Sequence, residues 1–161
     1  MIMIITHDNQ RREQLQSYFE RKGYKVLVPP HRQDALALMK EASPIVVILD
    51  LYVSEPSGLE LLRQFRHEGY RGKVVALAGP SSHQQLRTAY NLGIDQIVGL
   101  EQAIDGKLDS EQVESAIRTA IRPLIATRAE ELWIQQGRPA GQDMAFWLQA
   151  EQEWLQKLRG N

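Results

Sequence analysis

An open, all-parallel α/β sheet with helices on both faces, followed by a C-terminal α-helical hairpin, is the fold the sequence predicts. Three observations carry that expectation. Short apolar runs rich in β-branched residues recur at Ile2 to Ile5, Tyr24 to Val28, Ile45 to Leu49, Val74 to Leu77 and Ile94 to Val98. Stretches with apolar residues at helical spacing separate them, at distances that allow right-handed crossovers. The run Ile45 to Leu49 is continuously apolar, as expected of a central parallel strand covered on both faces.

Each element has its own signal. Ile2 to Ile5 runs into the polar cluster Thr6, His7, Asp8, Asn9, so a strand ends in a loop there. Leu15, Tyr18 and Phe19 mark a helix that Gly23 stops. Pro29 and Pro30 close the second strand, and Ala35, Leu36 and Met39 mark the second helix. The third strand starts after Pro44 and ends at Asp50. Ser57 and Gly58 open a helix with apolar residues at 59, 61, 62 and 65. The fourth strand is followed by a helix over Gln84 to Leu92, closed by Gly93, and then by the fifth strand. Ser110 suits the N-cap of a fifth helix with the apolar stripe Val113, Ala116, Ile117, Ala120 and Ile121. Pro123 cannot continue a helix without losing a hydrogen bond, so a helix boundary is expected there. The last two helices are then Leu124 to Gln136 and, behind Asp143, Met144 to Leu158. The chain divides on this reading into residues 1–123 and a hairpin over 124–161.

Composition narrows the function classes. The 161 residues carry 19 Lys plus Arg against 20 Asp plus Glu, a net charge of −1 with no general pull toward nucleic acid or an anionic membrane. There is no Cys, which excludes disulfides, thiolate metal sites and Cys nucleophiles. No apolar run approaches the roughly 18 residues of a membrane helix, and the N-terminal stretch turns polar too early for a signal peptide, so a cytoplasmic protein is expected. No catalytic triad or metal-ligand cluster can be assembled, and His7, His31, His67 and His83 read as surface residues.

Ligands meet an open parallel sheet where its strands end. Three such ends are Thr6-His7-Asp8, Asp50 and Ala78-Gly79-Pro80-Ser81-Ser82. Asp8 and Asp50 are the candidate metal ligands: two carboxylates at neighbouring strand ends can hold Mg²⁺, and a carboxylate beside that ion can accept a phosphoryl group. The plainer reading is that Asp8 caps the first helix and Asp50 is a solvated strand-end residue.

The segments Ile45-Val46-Val47-Ile48-Leu49-Asp50-Leu51-Tyr52-Val53, Gly58-Leu59-Glu60-Leu61-Leu62 and Ala89-Tyr90-Asn91-Leu92-Gly93-Ile94-Asp95, in that order, resemble the receiver domain of bacterial two-component response regulators. The resemblance covers about Met1 to Pro123. It implies a flavodoxin-like, CheY-like sheet of five strands flanked by five helices, with Mg²⁺-dependent phosphoryl transfer from a histidine kinase to Asp50. Several positions depart from that family. Its acidic pair falls on Thr6 and His7, with Asp8 one place late. Its hydroxyl residue falls on Ala78, with Ser81 and Ser82 in the loop beyond. Its Lys falls on Leu100, with Glu101 next to it, and its aromatic switch residue on Ile97. The Pro after its phosphoacceptor loop falls on Ser54, with Pro56 two residues on. A phosphoryl group brings close to two negative charges and three acceptor oxygens, and each lost charge-assisted bond costs roughly 1.5 to 3 kcal/mol.

The expectation is therefore a degenerate, or pseudo-receiver, signalling protein that acts by protein contact, with little or no phosphorylation-driven switching and no required cofactor. The alternative is a working single-domain response regulator phosphorylated at Asp50, and a third class is a small enzyme on a flavodoxin-like sheet. Partners are expected among histidine kinases, other signalling proteins or a second copy, held by apolar and aromatic contact. All three Trp, at 133, 147 and 154, lie in the hairpin and are either its small core or such an interface. The hairpin words Ala129-Glu130-Glu131-Leu132-Trp133, Gly137-Arg138-Pro139 and Trp147-Leu148-Gln149-Ala150-Glu151 resemble a short bacterial domain of unknown function, which brings no activity with it.

Overall fold

The computed structural model describes residues 1–51, 57–79, 83–100 and 108–160. Five parallel strands, β1 (Ile2–Ile5), β2 (Val26–Leu27), β3 (Val46–Asp50), β4 (Lys73–Ala78) and β5 (Gln96–Gly99), form one sheet in the order β2-β1-β3-β4-β5. The apolar runs explain the order, because β1, β3 and most of β4 are buried on both faces and occupy the middle. Their register aligns Ile4 with Ile48 and Ile48 with Val75. Asp50 stands at the C-terminal end of β3, level with Leu77.

The second strand is shorter than the expected span from Tyr24 to Val28. Helix ends engage the backbone that precedes it: the Tyr24 amide donates to the Phe19 carbonyl and the Lys25 amide to the Leu158 carbonyl. Pro29 and Pro30 limit it on the other side.

Helices α1 (Asn9–Arg21), α5 (Ser110–Gln135) and α6 (Asp143–Leu158) share one core, while α2 (Ala35–Ala42), α3 (Gly58–His67) and α4 (His83–Asn91) cover the opposite face. A 3₁₀ turn, Arg32–Asp34, leads into α2. Phe19, Ile48, Leu77 and Ile117 meet on the first side, and Met39, Leu49, Leu62 and Phe65 on the second. Asp8 caps α1 and Ser57 caps α3 through their side chains. The expected cap of α5 is displaced by one residue. Asp109, whose carboxylate accepts from the amides of Glu111 and Gln112, is the cap, and Ser110 is the buried first residue. Likewise Gln142 precedes α6 and Asp143 lies in its first turn.

Glu114 is buried between helices. Its carboxylate accepts from the hydroxyls of Tyr18 (2.5 Å) and Tyr24 (3.0 Å), with Lys22 at 3.4 Å and Arg118 at 3.6 Å. Burial alone raises its pKa, but the two phenols and Lys22 outweigh that and hold it below the ordinary value of 4.5. The carboxylate thus ties α1, the approach to β2 and α5 together.

The structure corrects the expected boundary at Pro123, because α5 runs unbroken from Ser110 to Gln135 with Pro123 inside it. An interior proline forfeits one backbone bond and crowds the carbonyl four residues back, at a cost of about 3 kcal/mol. Anchoring on both sides offsets that cost. Ile117, Ala120 and Ile121 precede the proline, Ile125 and Leu132 follow it, and all five lie in one core.

Helix α6 returns along the second half of α5 through Phe146, Ala150, Leu155 and Leu158 and an Arg128–Glu153 ion pair (2.5 Å). Its last carbonyls lack intrahelical donors, and the Lys25 amide satisfies Leu158 at 3.0 Å. The hairpin therefore seats against the N-terminal edge of the sheet, opposite Asp50.

Two outcomes follow from these contacts. Pro123→Ala should raise stability by about 1 to 3 kcal/mol in denaturant unfolding; a fall would mean that α5 needs a break there. Glu114 ionises more readily folded than unfolded, so its contribution is present above pH 4.5 and is lost as pH falls through its lowered folded value. Glu114→Gln should cost about 1 to 2 kcal/mol at pH 7 and flatten the acid limb of the stability curve; an unchanged acid limb would remove Glu114 as its source.

Candidate functional site

The C-terminal edge of the sheet brings together the ends of β1 and β3, where strand order reverses and an open parallel sheet forms its crevice. Asp50 is fully buried there. Its Oδ2 accepts a hydrogen bond from the Thr6 hydroxyl at 2.9 Å and from the Arg11 guanidinium at 2.7 Å. Thr6 follows β1 directly, and its hydroxyl oxygen also accepts from the Asp8 amide at 3.2 Å. The close approach of α3 completes the wall. A Cβ on Gly58 would stand 2.5 Å from the Asp50 carbonyl oxygen and 2.8 Å from Leu51 Cα, so only glycine fits where that helix starts.

Arg11 lies in the first turn of α1, and sequence reasoning missed it. Its guanidinium bridges the two carboxylates nominated for a metal, with Asp50 at 2.7 Å and Asp8 at 3.6 Å. A local signal for it exists. The positive end of the helix dipole disfavours cations in a first turn, yet α1 has no acid there and places Arg11 and Arg12 in it. Arg11, held against the dipole, has two anionic partners.

This donor set fits Mg²⁺ poorly. A hard divalent cation needs carboxylate and water oxygens around it, but the Asp50 oxygen described here already carries a guanidinium. Asp8 is used otherwise, accepting from the Arg11 amide at 3.0 Å as the cap of α1. That amide and the guanidinium together hold the Asp8 carboxyl below its usual range. Thr6 and His7 bring one hydroxyl and one exposed imidazole to the position of an acidic pair. Among the described residues no group of three or more His, Asp or Glu is placed to hold a metal.

The other expected positions are equally informative. Ala78 ends β4, buried, with a methyl where a hydroxyl would stand, and its carbonyl accepts from the Leu100 amide at 2.8 Å. Leu100 packs on the α1/α5 core, and Ile97 on the opposite one. Ser54, Pro56, Ser81, Ser82 and Glu101 lie outside the described residues. His7, His31 and His67 are exposed.

The three indoles are half-buried against the core shared by α5 and α6. Trp133 donates to the Pro139 carbonyl and Trp154 to the Leu124 carbonyl, each at 3.1 Å, and Arg122 lies over the ring of Trp147. Each indole thus makes a contact within the chain, while Met144, expected in the same small core, is exposed.

Comparison with known proteins agrees with this architecture. Residues 2–101 match the response regulator receiver domain, and residues 123–156 match a protein family of unknown function, DUF2934. The transcriptional regulatory protein TorR of the TorCAD operon, from Escherichia coli K12, is 27% identical over 149 residues, 90% of this chain and 57% of its own length. The transcriptional regulatory protein AfsQ1 of Streptomyces coelicolor is 26% identical over 125 residues, 75% of this chain and 51% of its own. The chain thus spans about half the length of the curated relatives it matches. A solved receiver domain from Bermanella marisrubri superposes with a TM-score of 0.64 at 17% identity, over 75% of this chain and 97% of its own, a likeness of fold. With the receiver match covering most of the chain and the sheet order and strand-end aspartate in place, the protein belongs to the response regulator receiver family and carries a DUF2934 segment at its C-terminal end.

Proposed function

We propose that this chain is a pseudo-receiver: a cytoplasmic two-component signalling protein that works by protein contact, without a phosphorylation-driven switch and without a required metal. The Arg11 guanidinium on Asp50 is the observation that carries this reading. Receiver chemistry asks the buried aspartate to share a cation and then to take a phosphoryl group. In this chain an internal cation neutralises the aspartate, which removes both the vacancy and much of the nucleophilicity. Ala78 and Leu100 offer an incoming phosphoryl group neither a hydroxyl nor an ammonium, and charge-assisted bonds of that kind are worth roughly 1.5 to 3 kcal/mol each.

Contact with a protein partner, whether a histidine kinase, another signalling protein or a second copy, is supported at the hairpin. Met144 and Leu148 are 70% and 51% exposed, one turn apart on α6. Among the described residues no helix is long and apolar enough to cross a membrane. The retained, buried Asp50 is the feature that favours a working response regulator as the second reading.

Incubation of the full chain with Mg²⁺ and acetyl phosphate, or with Mg²⁺ and beryllium fluoride, separates the two. The pseudo-receiver should show no stoichiometric modification at Asp50 by mass spectrometry and no shift of backbone amide resonances beyond the loops. Rapid, stoichiometric modification of Asp50 with a change at the surface would overturn the proposal in favour of the second reading.

A further inference from the structure

Arg122 and Glu151 face one groove without pairing. The groove, about 300 Å³, lies between α5 and α6 and is lined by Arg118, Arg122 and Ile125 from the first helix and by Trp147, Glu151 and Leu155 from the second. Arg118 is engaged by Glu114 at 3.6 Å. Arg122 is exposed, with its guanidinium over the Trp147 ring, and Glu151 is half-buried. Among the described residues neither has an ion-pair partner. The carboxylates of Asp50 and Glu114, also held away from water, both have one.

The groove opens onto apolar surface. Met144, Leu148, Glu151 and Leu155 follow one another at spacings of four, three and four along α6, which sets them in one stripe. Leu155 is buried at one end of it, and Met144 and Leu148 are exposed at the other, beside the half-buried Trp147. An apolar centre with an acid and a base at its margin is the make-up of a protein interface, where Trp, Met and Arg are enriched. Both walls are rigid, because α5 continues through Pro123 and the Arg128–Glu153 pair ties α6 to it, so little ordering cost opposes association.

We propose that the groove, with Met144 and Leu148 beside it, is the interface of a two-fold homodimer. Charge decides among the occupants. An acidic partner would set a like charge against Glu151, and a basic one would do so against Arg122. A second copy related by a two-fold axis supplies both counter-charges at once, Arg122 of each chain meeting Glu151 of the other. The net charge of −1 sets little repulsion between copies. The inference rests on the proposed function in one respect, that the hairpin is the surface of protein contact, and it names the partner.

Sedimentation equilibrium of the full chain, from micromolar to near-millimolar concentration, tests the interface. No phosphodonor and no Mg²⁺ are present, so its outcome is independent of whether Asp50 can be modified. A monomer–dimer equilibrium is expected. Arg122→Glu and Glu151→Arg should each weaken dimerisation at least tenfold, since each sets like charges against one another twice across the axis. Mixed in equal amounts, the two variants should dimerise again, because one presents two acids and the other two bases. Chains that had merely failed to fold would show no such rescue. Leu148→Glu should weaken the dimer as well, and Arg63→Gln, on α3 across the sheet, should change nothing. A chain that stays monomeric throughout would leave the groove to a different protein and overturn the proposal. So would a dimer that the single variants leave intact, or single variants that stay monomeric when mixed.

Discussion

A fully buried carboxylate at the end of the central strand demands a counter-charge, and the form that counter-charge takes governs the rest of this molecule. Removing an aspartate from water costs several kcal/mol unless a cation and good hydrogen bonds replace the solvent. In the receiver family the resemblance implies that a metal ion stands beside that aspartate. In this chain Arg11 supplies the counter-charge from the first turn of α1, 2.7 Å from Asp50, with the Thr6 hydroxyl alongside. Ala78, at the end of β4, is buried, and Leu100 packs on the core shared by α1 and α5.

The two edges of the sheet do different work. Electrostatics dominate the C-terminal edge, where Arg11 pairs with both Asp8 and Asp50. At the N-terminal edge, packing dominates. Helix α5 passes through Pro123 without a break and α6 returns along it, so that the Leu158 carbonyl meets the Lys25 amide just ahead of β2. Glu114, held by two tyrosine hydroxyls, fastens α5 to α1 between these edges. A partner gripping the hairpin therefore grips an element continuous with the receiver core.

Strand content and the place of Asp50 at a strand end were legible because they rest on local periodicity, whereas the CheY-like class of the sheet came with the receiver resemblance. A continuous run such as Ile45 to Leu49 has few alternatives to a central parallel strand. The misreadings fall where a distant partner decides a local outcome. Pro123 is a helix breaker by itself, but burial of Ile117 and Ile121 before it and Ile125 after it keeps the helix whole. Tyr24 has the composition of a strand residue, yet the bond from its hydroxyl to Glu114, 90 residues on, belongs to helix packing. Ser110 yields its capping role to Asp109, whose carboxylate reaches two amides. Arg11 carries no motif, and its pairing with Asp50 spans 39 residues. Its only local trace is a positive charge at the positive end of a helix dipole. An arginine placed against a helix dipole is a usable signal for a tertiary anion.

A double-mutant cycle across Arg11 and Asp50 addresses the central claim most directly. Unfolding free energies would be measured for the unmodified chain, Arg11→Ala, Asp50→Asn and the pair, at neutral pH and in the presence and absence of Mg²⁺. If the guanidinium is the counter-charge of the buried aspartate, Arg11→Ala alone is costly, Asp50→Asn relieves much of that cost, and the coupling is at least about 2 kcal/mol without Mg²⁺. Changes that add to within about 0.5 kcal/mol, or stability that depends on Mg²⁺ in the unmodified chain, would contradict it.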